Sequence, residues 1–240
     1  MQMDIHGVCF IQSLLLQYLS PLVPSSSGLG RRAFIPKITG STPVGITLFM
    51  KNAIILHGGP SKKEYYNPDA PSMSNAHWIP WLQAQLLKAD IPTASPEVPW
   101  SFDRNWKVWQ KEVERYDIGP ETILIGHSTG AGFFIKYLSI NKNLKVGKVV
   151  LVAPWLDPDR EHTKNFFDDF EIDPEFPSRT GGVTIFNSDN DQSSVQKTVK
   201  IVRNTVKNIK YLEFHNYGHF IHEDMKTLKF PELLKEALTP

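Results

Sequence analysis

From Met50 onward, unbroken apolar runs of three to five residues alternate with longer polar stretches in which apolar residues return every three or four positions. Ala53-Ile54-Ile55-Leu56, Ile123-Leu124-Ile125 and Val149-Val150-Leu151-Val152-Ala153 carry no polar alternate, as strands buried on both faces require. Gly182-Val183-Thr184-Ile185-Phe186-Asn187 reads as a further strand, residues 91–98 as a short extended piece constrained by prolines, and residues 208–214 alternate as a last strand. Trp78, Trp81, Leu82 and Leu86 fall at helical spacing over 77–88, with Ser74 or Asn75 as cap and Pro80 tolerated in the first turn. Trp106, Trp109 and Val113 mark a second helix capped by Asp103 or Ser101. Residues 131–139 carry an apolar stripe, Val195, Val199, Val202 and Val206 line another helix, and residues 231–238 close the chain as a short one. Strands alternating with helices pair in parallel. The pattern predicts an α/β domain: a mostly parallel sheet of five or six strands with helices on both faces.

A chain of 240 residues suffices for one such domain with a large core. With 26 basic against 25 acidic residues there is no field to recruit nucleic acid or an anionic membrane, and neither is expected as a partner. The single cysteine, Cys9, excludes an internal disulfide framework and fits a reducing compartment, so a cytoplasmic location is expected.

Residues 1–49 differ from the rest. The apolar run 8–19 contains Gln12, Ser13 and Gln17, too short and too polar to span a bilayer, and no basic region precedes it as in a signal peptide. Residues 25–47 resemble the translation product of a transfer-RNA gene. The expectation is a non-native or disordered extension over 1–49 and a functional domain over 50–240, which mass spectrometry of the native N-terminus tests.

The candidate chemistry sits at the ends of the strands. Ile123-Leu124-Ile125 runs into Gly126-His127-Ser128-Thr129-Gly130, a GxSxG turn followed by a helix: the strand, tight turn and helix that lift a serine clear of a sheet. Ser128 is the candidate nucleophile, and the N–H of Thr129 behind it a candidate oxyanion donor. The first strand ends in His57-Gly58-Gly59-Pro60, where Gly59 offers a second donor, Gly58 would serve the same geometry, and Pro60 has no N–H. Ser188-Asp189-Asn190-Asp191 follows a later strand and His219 the last one, giving the order serine, aspartate, histidine. An imidazole takes the serine proton near neutral pH, and a buried carboxylate fixes its tautomer and stabilises the imidazolium that forms. Serine at the turn argues against dehalogenase chemistry.

Other residues carry plainer alternatives. His57 reads as a buried ring satisfied by backbone, His127 as the variable position of the motif, and His215 and His222 as surface residues. The polar loop 61–75 reads as the rim of a site. Trp78 is either core or pocket wall. Over 159–180, Phe166 and Phe167 either line an acyl or alcohol site beneath a small cap or fold against the domain from a surface connection. No HExxH, paired-cysteine or GxGxxG spacing occurs, so neither a metal nor a cofactor is expected.

The segments H-G-G, G-H-S-T-G, V-V-L-V-A-P, S-D-N-D-Q and Y-G-H-F, in this order, resemble the α/β-hydrolase fold serine hydrolase family that includes retinoblastoma-binding protein 9 and its bacterial relatives, from about Lys51 to the C-terminus. The resemblance implies Ser128, His219 and the second of the closely spaced aspartates, Asp191, as a catalytic triad, with Asp189 its competitor. It implies a carboxylesterase-like hydrolase that cleaves small esters, and by the same chemistry amides or thioesters, through an acyl-enzyme. The LxCxE motif linked to retinoblastoma binding is absent, so no such partner is expected. The alternative of another class is a binding module that keeps the fold without meaningful turnover.

Overall fold

The computed structural model describes residues 51–239, so the expectation for residues 1–49 lies outside the described residues. Six strands, β1 (Asn52–Leu56), β2 (Thr93–Ala94), β3 (Thr122–His127), β4 (Val146–Val152), β5 (Thr180–Ser188) and β6 (Ile209–Phe214), form one sheet in the order β2-β1-β3-β4-β5-β6. Every neighbouring pair is parallel. All six residues of β3 are buried, because parallel strands joined by helical crossovers are covered on both faces.

Seven helices connect or flank them: α1 (Lys62–Tyr65), α2 (Ile79–Lys88), α3 (Trp106–Val113), α4 (Thr129–Ile140), α5 (Ser193–Thr205), α6 (His222–Met225) and α7 (Pro231–Leu238). Helix α4 is buried from Thr129 to Ser139 and leaves only Ile140 exposed. Trp109 of α3 and Phe133 of α4 share one aromatic cluster, while Trp78 beside α2 meets Phe230 beside α7 in another.

The helix caps differ from expectation. Ser74 lies in a 3-10 turn, Met73–Asn75, and its N–H donates to Glu97 Oε2 at 2.8 Å. His77 then takes a left-handed φ of 57°, breaking the path from that turn into α2, whose N-cap is Trp78. Ser101 and Asp103 likewise fall in a 3-10 turn, and left-handed Arg104 separates them from α3, which Asn105 caps by accepting from the Lys107 and Val108 N–H groups.

The segment 159–180 folds inward. Phe166, Phe167 and Phe176 are buried in the main core. Lys136 Nζ, reaching out of α4, donates to the carbonyls of Phe166 at 2.8 Å and Asp168 at 2.9 Å and lies over the Trp106 ring. The phenylalanines of this stretch thus pack against the domain.

Candidate active site

Ser128 occupies the corner between β3 and α4 with φ 52° and ψ −116°, a conformation strained for any side chain. Its N–H donates to Val152 O at 2.9 Å, and its carbonyl accepts from Gly132 at 3.0 Å and Trp155 at 3.2 Å. The corner closes because Gly130, two residues on, has no side chain. A Cβ on Gly130 would stand 2.4 Å from the Leu56 carbonyl oxygen and 2.5 Å from that of His57, so only glycine lets α4 start against the end of β1.

His219 brings Nε2 to 3.0 Å from Ser128 Oγ and Nδ1 to 2.9 and 3.2 Å from the Asp191 oxygens. A carboxylate only accepts, so the Nδ1 proton points at Asp191 and Nε2 faces the hydroxyl as acceptor. The Asp191 side chain is 0% exposed and also accepts from the Gln192 N–H at 2.6 Å. Asp189 turns away. Its carboxylate takes His215 Nδ1 at 2.5 Å and the Asn216 N–H at 3.0 Å, and the His215 side chain is 81% exposed.

The loops bearing Asp191 and His219 are laced together. The Tyr217 N–H donates to Ser188 Oγ at 2.9 Å, while Asn190 Oδ1 accepts from the Ser188 hydroxyl and the Gly218 N–H at 2.7 and 2.8 Å. The His219 backbone is held from both ends. Its N–H donates to Asp224 Oδ2 at 2.7 Å, and its carbonyl accepts from His127 Nε2 at 2.9 Å.

Gly59 and Thr129 lie side by side: a Cβ built on Gly59 would stand 3.0 Å from Thr129 Oγ1. Neither backbone N–H has an acceptor among the described residues, and that of Thr129 belongs to the first turn of α4, where helix N–H groups point outward. Gly58 is equally near, its Cβ position being 3.2 Å from Ser128 Cβ.

Three further histidines surround this group. His57 is buried, with Nδ1 2.6 Å from the Gly58 carbonyl and Nε2 accepting from the Val98 N–H at 3.0 Å, as expected of a ring satisfied by backbone. Burial lowers its proton affinity. His127 is more than a variable position. Its ring is sealed beneath that of His219, centroids 5.1 Å apart, and burial followed by the neighbouring His219 charge holds its pKa well below the usual histidine value. His77 is half-buried, and burial lowers its pKa too.

The hydroxyl opens into a cleft of about 1200 Å³ whose walls include His77, Trp81, Arg104, Trp155, Val195 and Leu228. As expected of a rim, the loop from Ser61 contributes Glu64, Asn67 and Met73. The three residues weighed as pocket lining are elsewhere. Trp78 is buried with its indole N–H on the Phe220 carbonyl at 3.0 Å, and Phe166 and Phe167 pack against Trp106, Trp109 and Trp155. Large apolar side chains at helical or loop spacing serve core and pocket alike, and here the core takes them. Trp155 and Arg104 were missed. Trp155 lies three residues beyond the end of β4, in the region that carries ligand contacts in open parallel sheets; no comparable signal marks Arg104. Among the described residues no cluster of three or more His, Cys, Asp or Glu is arranged to hold a metal ion, and no helix is long and apolar enough to cross a membrane.

A parallel sheet whose strand ends carry a serine corner, a carboxylate and a histidine within hydrogen-bond reach defines an α/β-hydrolase fold. The family model described as serine hydrolase matches residues 70–233, and the chain belongs to that family. The structure is similar to the ydeN gene product of B. subtilis, with a TM-score of 0.61 and 20% identity over 78% of this chain and 96% of the other. A putative YdeN-like hydrolase from Pectobacterium atrosepticum gives 0.52 and 19% over 78% and 89%. Est1E from Butyrivibrio proteoclasticus, with ferulic acid bound, gives 0.52 and 14% over 77% and 85%. No curated protein matches the chain.

Proposed function

We propose that this hydrolase cleaves small carboxylic esters through an acyl-enzyme on Ser128. The observation that carries the reading is the unbroken relay from the buried Asp191 carboxylate through His219 to Ser128 Oγ, with contacts of 2.9 and 3.0 Å. His219 Nε2 takes the hydroxyl proton as Oγ attacks the ester carbonyl, and Asp191 stabilises the imidazolium. The oxyanion accepts from the Thr129 N–H and from Gly59 or Gly58, each donor worth about 3 kcal/mol in the transition state. His219 returns the proton to the departing alcohol, then activates a water that releases the carboxylic acid by the same route. The chemistry extends to activated amides and thioesters. A neighbour of this fold solved with ferulic acid, a carboxylic acid, is in keeping with an acyl pocket of this kind.

The test is a fluorophosphonate probe on the full chain and on Ser128→Ala, with turnover of short and medium 4-nitrophenyl esters followed in parallel. Labelling and turnover that vanish together in the variant are expected. Well-folded wild type that neither labels nor turns over would leave a binding module.

A further inference from the structure

Arg104 follows the 3-10 turn Ser101–Asp103 in a left-handed conformation, φ 47° and ψ 53°, which is costly for a residue with a side chain. This backbone folds its side chain back into the cleft. Nη2 donates to the Gly59 carbonyl at 3.0 Å and Nη1 to that of Phe102 at 3.2 Å, while the guanidinium carbon lies 5.3 Å from the Trp155 ring centroid. Nε is buried and has no partner.

No carboxylate among the described residues pairs with this guanidinium. The acids whose fields reach it, Asp157 and Glu64, are committed elsewhere. Asp157 accepts from the backbone of Glu161, His162 and Thr163 and from the Thr163 hydroxyl, and Glu64 accepts from the Ser61 N–H. Carbonyl dipoles satisfy donors but do not neutralise a charge. A guanidinium partly withdrawn from water in the cleft wall, with no carboxylate of its own, leaves a charge that an anion on its free Nη–H groups would compensate.

Its position tells where that anion would sit. A Cβ on Gly59 would lie 3.0 Å from both Arg104 Nε and Thr129 Oγ1, so the guanidinium stands directly beside the candidate oxyanion donors. We propose that Arg104 selects substrates bearing a carboxylate a few bonds from the scissile carbonyl, so that half-esters of short dicarboxylic acids are taken in preference to neutral esters. Both remaining Nη–H bonds would serve a carboxylate, and a planar guanidinium held against Trp155 is already ordered for it. This inference rests on the reading of Ser128 as nucleophile.

The test compares monoethyl with diethyl malonate and succinate by ethanol release. The wild-type kcat/KM ratio of half-ester to diester for the better acid is expected to exceed one, and to fall about tenfold or more in Arg104→Met. Arg104→Lys, which keeps the charge but not the fork, falls between. Calorimetry on Ser128→Ala should find saturable succinate binding that weakens about tenfold or more when Arg104→Met is added. A wild-type ratio of one or less with both acids, or a ratio that Arg104→Met leaves unchanged, overturns the proposal without reference to how well any variant folds in the first case. Succinate bound through Arg104 in protein that never labels with fluorophosphonate would sustain the anion site and remove the hydrolase reading. Labelling without carboxylate preference or succinate binding would do the reverse.

Discussion

Asp191→Asn keeps a buried side chain's shape and removes its charge. The carboxylate accepts the His219 ring proton at 2.9 and 3.2 Å and the Gln192 N–H at 2.6 Å, and its side chain is 0% exposed, so no water can replace the lost acceptor. Oδ1 takes the nearer contacts of both donors, so the amide either keeps its oxygen there and places its N–H at the Oδ2 position, 3.2 Å from Nδ1, or reverses and presents N–H to both. If His219 Nδ1 meets that N–H, its proton moves to Nε2, where the ring becomes a donor toward Ser128 instead of a base. The same change in a trypsin-type triad lowers kcat by about 10⁴, or about 5.4 kcal/mol at 1.36 kcal/mol per factor of ten. A fall of that order is expected here for 4-nitrophenyl butyrate, with KM little changed and thermal unfolding near wild type. Asp189→Asn is the control. It removes an aspartate, 38% exposed, paired with an exposed histidine, and should leave kcat within about threefold. Equal losses in the two variants, or more than a tenth of wild-type kcat in Asp191→Asn, would refute the assignment of the acid.

Gly130→Ala pushes a methyl to 2.4 Å from the Leu56 carbonyl oxygen, so α4 must lift away from β1; a loss of about 1–3 kcal/mol in urea unfolding is expected, together with loss of phosphonate labelling. His127→Phe keeps the ring but deletes the donor to the His219 carbonyl, and should lower kcat about tenfold with KM nearly constant, His127→Gln restoring part of it. His57 and His127 bind fewer protons folded than unfolded once pH falls below about 6.5, because burial lowers only their folded pKa values. Stability is therefore fully present above that pH and declines as pH drops toward the folded values, by up to about 1.4 kcal/mol per pH unit for each ring. Urea midpoints between pH 8 and 5.5 check this, and a midpoint that stays constant from 7 to 5.5 contradicts it.

What the sequence made legible is what a local pattern can encode. The apolar runs at 53–56, 123–125 and 149–153 could only be strands covered on both faces, and the Gly126–Gly130 turn announced its own corner, since both glycines are dictated by atoms within the same strand–turn–helix unit or the strand beside it. The helix caps went astray where left-handed His77 and Arg104 interrupt the path, and no residue type announces such a conformation in a non-glycine. The cleft walls were illegible for another reason. Trp78 and Trp81 share one helical stripe, yet Trp78 is sealed in the core and Trp81 faces the cleft, a difference set by which neighbours arrive from the chain's far end. Choosing between Asp189 and Asp191 likewise required the approach of the 215–220 loop, which places His215 on the first and His219 on the second.

That approach explains why unremarkable residues surround the motif residues so closely. Four strand ends carry the candidate residues: β1 the glycines, β3 the serine, β5 the carboxylate and β6 the imidazole. Parallel pairing aligns these ends but does not fix loops beyond them to within the ångström that a reactive geometry tolerates. The fixing is done by Ser188 and Asn190 across the β5 and β6 loops, and by His127 and Asp224 on the two sides of the His219 peptide. His127 reaches its partner across 92 positions of sequence, from inside the nucleophile motif itself. The variable letter of that motif is thus set by the histidine loop it must hold: a side chain there has to fill a sealed space beneath the imidazole and donate one hydrogen bond upward. Such a requirement belongs to this pair of loops rather than to the turn, which is why the motif leaves the position free while the structure does not.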